Sequence, residues 1–392
     1  MPPHDALQLS ARLRPLLEAR IARVKRPAEG ALRHDYLVPG GPYPEQWDWD
    51  AFFIGMAIAS RDRADAVYLR NWGLNYIENA RDDGFCPGLL TPKGPDWRLK
   101  HMKPFLAQGC LHASRFLNDS AWLTGDLYAR LKRIVLYREE HGLFHVGLGL
   151  FAWTDSMESG ADNNLAALEY PDGSVAAVDC SCFVYAEYAA TALIARNAGQ
   201  EKDSLMFRAK AEHLREAIIA RLWNREDGAY ENIDTRTGEF IRVVGYSSVH
   251  PLWAGIAPQE QADAFIDRWL LHPDKLRSPH GIRTLSKDHP RYNNANIIKP
   301  HSNWQGPVWP IAMVLYAQSL ANYGRTDAAL DVAADAMRLC LNDIEKSGGM
   351  HENYDAETGQ PLAAPDFISW NLLLMNLAEE VQERRNPFMI RL

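Results

Sequence analysis

The chain has 392 residues, 47% hydrophobic and 23% charged, the composition of a globular protein with ample core. A formal net charge of −8 argues against nucleic acid or an anionic membrane as the main partner. The N-terminus, MPPHDALQLSARLRPLLEAR, lacks the charged-then-apolar layout of a secretory signal, and no apolar run approaches the roughly 18–20 residues that span a bilayer.

In chain order, apolar spacing of three and four predicts helices near 5–24, 51–60, 64–80, 104–117, 120–140, 179–198, 202–222, 247–256, 259–271, 307–323, 326–345 and 366–384. Strand signals are confined to 228–244 and short pieces near 148–153. The links alternate. SRDR, LND, NAGQ, GIAP and NYGRT are short, whereas 25–50, 81–103, 141–178, 223–246, 272–306 and 346–365 are long. Antiparallel helix pairs stacked side by side produce that rhythm, with tight turns on one face and long loops on the other. Six pairs close into an all-α (α/α)6 barrel of twelve helices with short β pieces in the long loops. No Pro/Gly/Ser-rich linker divides the chain, so a single catalytic domain over 1–392 is expected.

Five cysteines (Cys86, Cys110, Cys180, Cys182, Cys340) leave an odd one out and form no Cys-x-x-Cys pair, which fits reduced thiols in a cytoplasm. His272, His280 and His289 share one loop at spacings that prescribe no coordination geometry, so neither metal nor cofactor is expected.

Twelve tryptophans are many, and several sit beside Gly, Pro, Asp or Asn, where an indole makes a flat surface for a sugar ring. The first long loop ends in PEQWDWDAFFIG (Pro44 to Gly55). Asp48 there reads as a helix cap as readily as a ligand, while Trp49 and Asp50 suit a sugar, the ring stacking and the carboxylate accepting hydroxyls. In the second loop Lys103, just before a helix start, is the lysine that can point inward. The third, FAWTDSMESGADNN (Phe151 to Asn164), puts Asp155, Glu158 and Asp162 among small residues that let backbone approach a ligand. The fifth carries Trp304, Gln305, Gly306 and Trp309 ahead of an apolar helix. The sixth, HENYDAETG (His351 to Gly359), echoes YENIDTRTG (Tyr230 to Gly238) in the fourth. Asp162 and Glu352 facing one tryptophan-lined pocket would be the minimal pair of acids for glycosidic cleavage. Phe53, Gln108, Trp153, Glu158, Gly160 and Tyr354 are counted with the residues expected to touch substrate.

Trp-Asp-x-Phe-Phe, Glu-Ser-Gly-x-Asp-Asn, Trp-Gln-Gly-Pro-x-Trp and Glu-Asn-Tyr-Asp, collinear over about 44–375, resemble glycoside hydrolase family 63 and, more distantly, the trehalases of family 37. Family 63 includes processing α-glucosidases and compact bacterial enzymes acting on mannosylglycerate and glucosylglycerate. The resemblance implies the (α/α)6 barrel, inversion at the anomeric carbon and a small α-linked sugar as partner. By position it implies Asp162 as general acid and Glu352 as general base, with Trp49 and Asp50 gripping the sugar and Trp304, Gln305, Gly306 and Trp309 as the wall beside it. Asn163-Asn164-Leu165 replaces the trehalases' Ser-Ser-Arg-Trp, and Met102-Lys103-Pro104-Phe105 their Gln-Pro-Pro-Phe, which counts against trehalose and leaves Lys103 to meet an anionic aglycone. Glu231, in the first echo, is the reserve base. A sugar epimerase of the same ring would use His250, His301 or His351 instead, and a non-catalytic sugar-binding protein would need neither acid.

Overall fold

Helices with apolar side chains on every face must be buried on every face, and here those helices meet at the centre. The computed structural model describes residues 4–299 and 301–392, so Met1–Pro3 of the N-terminal stretch and Pro300 of the fifth long loop lie outside it. Its helices are α1 (His4–Glu18), α2 (Asp48–Arg61), α3 (Ala66–Asn79), α4 (Leu106–Leu117), α5 (Gly125–Glu140), α6 (Val178–Asn197), α7 (Glu201–Arg221), α8 (His250–Trp253), α9 (Gln259–Phe265), α10 (Pro310–Asn322), α11 (Thr326–Ser347) and α12 (Leu377–Gln382). Every residue of α2 from Asp48 to Ala59, and of α10 from Pro310 to Ala321, is buried.

The inner ring closes on itself. α2 packs on α4, α4 on α6, α6 on α8, α8 on α10, and α10 on a 3-10 segment, Ser369–Met375, that returns to α2. The outer helices lean on this ring: α3 on α4, α7 on α6, α11 on α10, and α1 on α11. This is the (α/α)6 barrel. α6 corrects one expectation. At 20 residues it is long and apolar enough to cross a membrane, but 94% of its apolar window is buried, so that character belongs to the inner ring.

Five of the expected helices depart from the spacing, two of them because a 3-10 turn, Tyr246–Val249, precedes α8 within 247–256 and a π-helical turn, Ile266–Leu270, continues α9 within 259–271. The first helix stops at Glu18, not near 24, because Lys25–Arg26 pairs with Tyr36–Leu37 as a short antiparallel ribbon, tertiary pairing overriding local propensity. The fifth begins at Gly125, after Asp119 has capped the turn at Ala121. The segment expected as one helix over 366–384 splits into 3-10 Ser369–Met375 and then α12. The tighter winding sends Ser369 to Asp50 and Trp370 to the mouth of the ring.

The loops carry short strands. Asn232–Asp234 is the centre of a three-stranded antiparallel sheet, pairing with Glu239–Ile241 on one side and Val175–Ala176 on the other. Gln46–Trp47, Leu89–Thr91 and Gly94–Pro95 make another, which ties the first long loop to the second.

Candidate active site

Five of the six long loops converge on one cavity of about 160 Å³. A single water needs about 10–15 Å³ on the same measure, so the space suits one sugar ring rather than a chain of them. Pro39, Tyr43 and Trp47 come from the first loop, with Trp49 and Asp50 from the first turn of α2. Lys103 comes from the second, Met157, Gly160 and Asp162 from the third, Ile298 and Ser302 from the fifth, and Glu352 from the sixth. Trp309, the N-cap of α10, and Phe367 and Trp370 complete the lining.

Three carboxyl groups share this space. Asp50, 6% exposed, accepts the Ser369 hydroxyl at 2.6 Å, and burial pushes its pKa up to about 7 against the opposing pull of Ser369 and Lys103. Asp162 accepts two hydrogen bonds from Ser302, the backbone N–H at 3.1 Å and the hydroxyl at 2.7 Å, both on Oδ2. Burial raises its pKa, and the Ser302 bonds, Lys103 and His301 pull the other way. Glu352 has no such support: its Oε2 is buried without a partner. Burial, then the charges of Asp50 and Asp162, hold its pKa well above the usual carboxylate range. Tyr43 joins them. Burial raises its phenol, followed by the charges of Glu352, Asp50 and Asp162 in that order, and it lines the same cavity.

The walls are aromatic. Trp49 meets Trp370 edge-on, with ring centres 5.3 Å apart, and Gly160 lies against its six-membered ring at Cη2 and Cζ2. A Cβ on Gly160 would come within 2.7 Å of the Trp49 ring and 2.9 Å of Lys103 Cε, at a φ of +81° that other residues rarely adopt. Only glycine lets the acid-bearing loop close on the tryptophan. Lys103 sits with its ammonium 5.2 Å from the Trp49 ring centre and 3.2 Å from Asp48 Oδ1. Asp48 also accepts the backbone N–H groups of Trp49 and Lys103, each at 2.7 Å. The lysine therefore faces the cavity with its charge already met by a buried partner, which is a weaker anion anchor than a free ammonium.

Other expected contacts lie one layer out and do not line the cavity. Phe53 packs behind Trp49 against Phe52, Phe105 and Phe388. Gln108 donates to the carbonyls of Pro104 and Phe183 at the start of α4. Trp153 donates its indole N–H to Asp179, and Glu158 is locked in a buried ion pair with Arg138 at 2.7 Å. Trp304 stacks on the far face of Trp309, ring centres 4.0 Å apart. Gln305 binds the Asn163 carbonyl at 2.9 Å. Gly306 is needed for close approach, since a Cβ would sit 2.1 Å from the Asn293 carbonyl oxygen. Tyr354 is fully buried, bonded to Asp343 at 3.0 Å. Each of these is a polar or flat group whose partner is protein, and sequence spacing alone cannot tell such a partner from a ligand. Several act on the site through one residue. Asn163 accepts the Trp304 N–H at 2.6 Å and, through its own carbonyl, the Gln305 amide, and so draws Asp162 alongside Ser302.

Tyr43, Ser302, Phe367 and Trp370 escaped the sequence reading. Ser302 had one usable signal, its place two residues ahead of Trp304 in a polar loop. The reserve base lies elsewhere: Glu231 accepts Asn224 Nδ2 at 2.8 Å inside its own hairpin. Among the described residues no histidine lines the cavity. His250 is fully buried with Nδ1 on the Ser247 carbonyl, His351 is paired with Asp343, and His301 touches Met157 Sδ.

A closed double ring of helices with paired acids in a tryptophan-walled cup is the architecture of an (α/α)6 glycosidase. The profile of the mannosylglycerate hydrolase MGH1-like glycoside hydrolase domain matches residues 43–370, and the chain belongs to that family. It is 27% identical over 182 residues to a mannosylglycerate hydrolase of Rubrobacter radiotolerans, 46% of this chain and 38% of that one. It is 20% identical over 382 residues to the periplasmic trehalase of Citrobacter koseri, 83% of this chain and 63% of that one. The chain thus spans less than two thirds of either curated relative. Among solved structures, the family 63 mannosylglycerate hydrolase of Thermus thermophilus in complex with Tris and D-glycerate superposes with a TM-score of 0.71 at 20% identity, covering 93% of this chain and 99% of that one. Residues 43–370 therefore form a glycoside hydrolase domain of this family.

Proposed function

We propose that this glycoside hydrolase is an inverting, exo-acting α-glycosidase of a small α-glucoside or α-mannoside, a disaccharide or a glycosylglycerate. Asp162 serves as general acid and Glu352 as general base. The observation that carries the reading is the meeting of these two acids, 190 positions apart in sequence, in one cavity sized for a single ring. Ser302 places both its donors on Asp162 Oδ2, which leaves Oδ1 to hold the proton and pass it to the leaving oxygen as the glycosidic C–O bond breaks. A water on the opposite face forms the new bond to the anomeric carbon and gives its proton to Glu352, whose Oε2 has no competing protein donor. Each transfer is worth about 10²–10⁴-fold in rate. Asp50, held by Ser369, accepts hydroxyls of the sugar stacked on Trp49.

Burial raises the Glu352 pKa with no hydrogen bond to offset it, whereas the Ser302 bonds restrain Asp162, which taken alone favours a proton on Glu352. α-Glycosyl fluorides separate the roles because fluoride departs without a proton. Asp162→Asn is expected to hydrolyse the fluoride and fail on the glycoside, and Glu352→Gln to fail on both. The opposite pattern would exchange the two roles, and full activity of both variants on the glycoside would end the assignment. Proton NMR of the first-formed product from α-linked disaccharides and from mannosyl- and glucosylglycerate reads substrate and inversion together.

A further inference from the structure

Asp50 and Asp162 are each oriented by a serine, but the Glu352 carboxyl reaches the cavity with Oε2 buried and unpartnered. Its aim must come from its backbone, and one carboxylate behind that backbone holds it on both sides of Glu352. Asp343, on α11 and 3% exposed, accepts at Oδ2 from His351 Nδ1 at 2.8 Å and from the Tyr354 hydroxyl at 3.0 Å. The Tyr354 oxygen in turn accepts the His351 backbone N–H at 3.2 Å. The residues just before and two after Glu352 are thereby fastened to a single carboxylate oxygen. The rest of the frame is Glu352 N–H to the Ala363 carbonyl at 3.0 Å, Ala363 N–H to Asn353 Oδ1 at 3.1 Å, the Asn371 amide to the His351 carbonyl at 3.1 Å, and Tyr354 exchanging both backbone bonds with Val308, next to the cavity-lining Trp309.

We propose that Asp343 is a positioning residue for the base, setting where the Glu352 carboxyl sits against the anomeric face. The inference rests on the acid and base roles proposed above. It assigns Tyr354 and His351, which carry the sequence signal of a substrate contact and a histidine catalyst, to the frame of Glu352. A carboxylate displaced by about 1 Å loses its line to the water and with it on the order of 10²-fold in rate, whereas the sugar keeps its grip on Trp49 and Asp50.

The test uses the full chain and two substrates, an α-glycosyl fluoride and whichever α-glycoside the wild type cleaves. Asp343→Ala is expected to lower kcat about 10- to 100-fold on both, with KM within about threefold. A base-side defect slows water attack whatever the leaving group, so the ratio of the two rates stays at the wild-type value, in contrast to Asp162→Asn. Tyr354→Phe removes one of the two anchors while keeping the ring and is expected to fall several-fold in the same pattern; it carries the test if Asp343→Ala does not fold. Ser347→Ala, which loses a bond to the other oxygen, Asp343 Oδ1, is expected to stay within about twofold. A folded variant with unchanged kcat, a loss confined to the glycoside, or a rise in KM matching the fall in kcat would each overturn the proposal. If Glu352→Gln keeps full activity on the fluoride, the base assignment itself has failed, and that result is separate from any of these.

Discussion

The fourth and sixth long loops contain the same turn. In Tyr230–Gly238 and His351–Gly359 the glutamate N–H bonds a neighbouring carbonyl, the asparagine Oδ1 accepts a backbone N–H, and the aspartate Oδ1 accepts the N–H two residues on. Each closes with the glycine N–H on the aspartate carbonyl at 2.8 Å, with φ of 77° at Gly238 and 71° at Gly359. What differs is the surroundings. Asn232–Asp234 is the middle strand of a sheet, and its hairpin folds Glu231 inward onto Asn224. Tyr354 makes only single bridges to Val308 and Pro361, and the open edge leaves Glu352 in the cavity. A local motif fixes the backbone of a glutamate; the strands beside it decide whether the carboxyl meets protein or substrate.

Exchanging each glutamate for its amide gives the largest contrast. Glu352→Gln is expected to lower kcat on the glycoside by about 10²–10⁴-fold, while Glu231→Gln, which keeps the acceptor for Asn224, stays within about twofold. Steady-state rates of the two purified variants decide this, and comparable losses in both would erase the distinction. The asparagines sharpen it next. Asn353→Ala strips the bond to Ala363 N–H beside the base and is expected to cost about tenfold in kcat by misplacing Glu352. Asn232→Ala leaves Val178 N–H and the Ala166 carbonyl without their partner, so its expected cost is stability, about 1–3 kcal/mol by denaturant unfolding, with kcat nearly unchanged.

The acid side gives a smaller, directional effect. Ser302→Ala removes one of the donors that hold the Asp162 pKa down, so that pKa rises further. Asp162 then stays protonated to higher pH, and the basic limb of kcat/KM moves upward. A limb that moves down or stays put would remove Ser302 from the acid's setting.

Much of this was legible in the sequence because helix spacing and loop length are local properties. α2, α3, α4, α6, α7, α10 and α11 begin and end within a few residues of the apolar pattern. Asp162, Glu352, Trp49, Asp50, Lys103, Gly160 and Trp309 reach the cavity from motifs whose residue types are unusual for loops. Illegible were contacts created by closing the ring. Ser302 meets Asp162 across 140 positions and Ser369 meets Asp50 across 319, and a serine in a polar loop announces neither. Tyr354 and Glu158 erred in the other direction. Their neighbours in sequence are site residues, but their side chains point back to Asp343 and Arg138. The alternation of facing along a loop depends on strand pairing that short β pieces do not announce.

The smallest effect tests the buried glutamate itself. Burial pushes the Glu231 pKa up to about 7; Asn224 opposes the shift and Asp227 adds to it. A carboxyl whose pKa is raised on folding stabilises the fold while it is protonated. That contribution is complete below the unfolded value near 4.5 and is lost as pH rises through about 7. Gln at this position is neutral throughout. The Tm of Glu231→Gln relative to wild type is therefore expected to climb between pH 5 and pH 8, read by thermal melts in matched ionic strength. A difference that stays flat would mean that Glu231 is charged inside its hairpin even at low pH. The hairpin would then hold an ordinary charged carboxylate, unlike the raised acid at Glu352, and the contrast between the two loops would widen from position to charge.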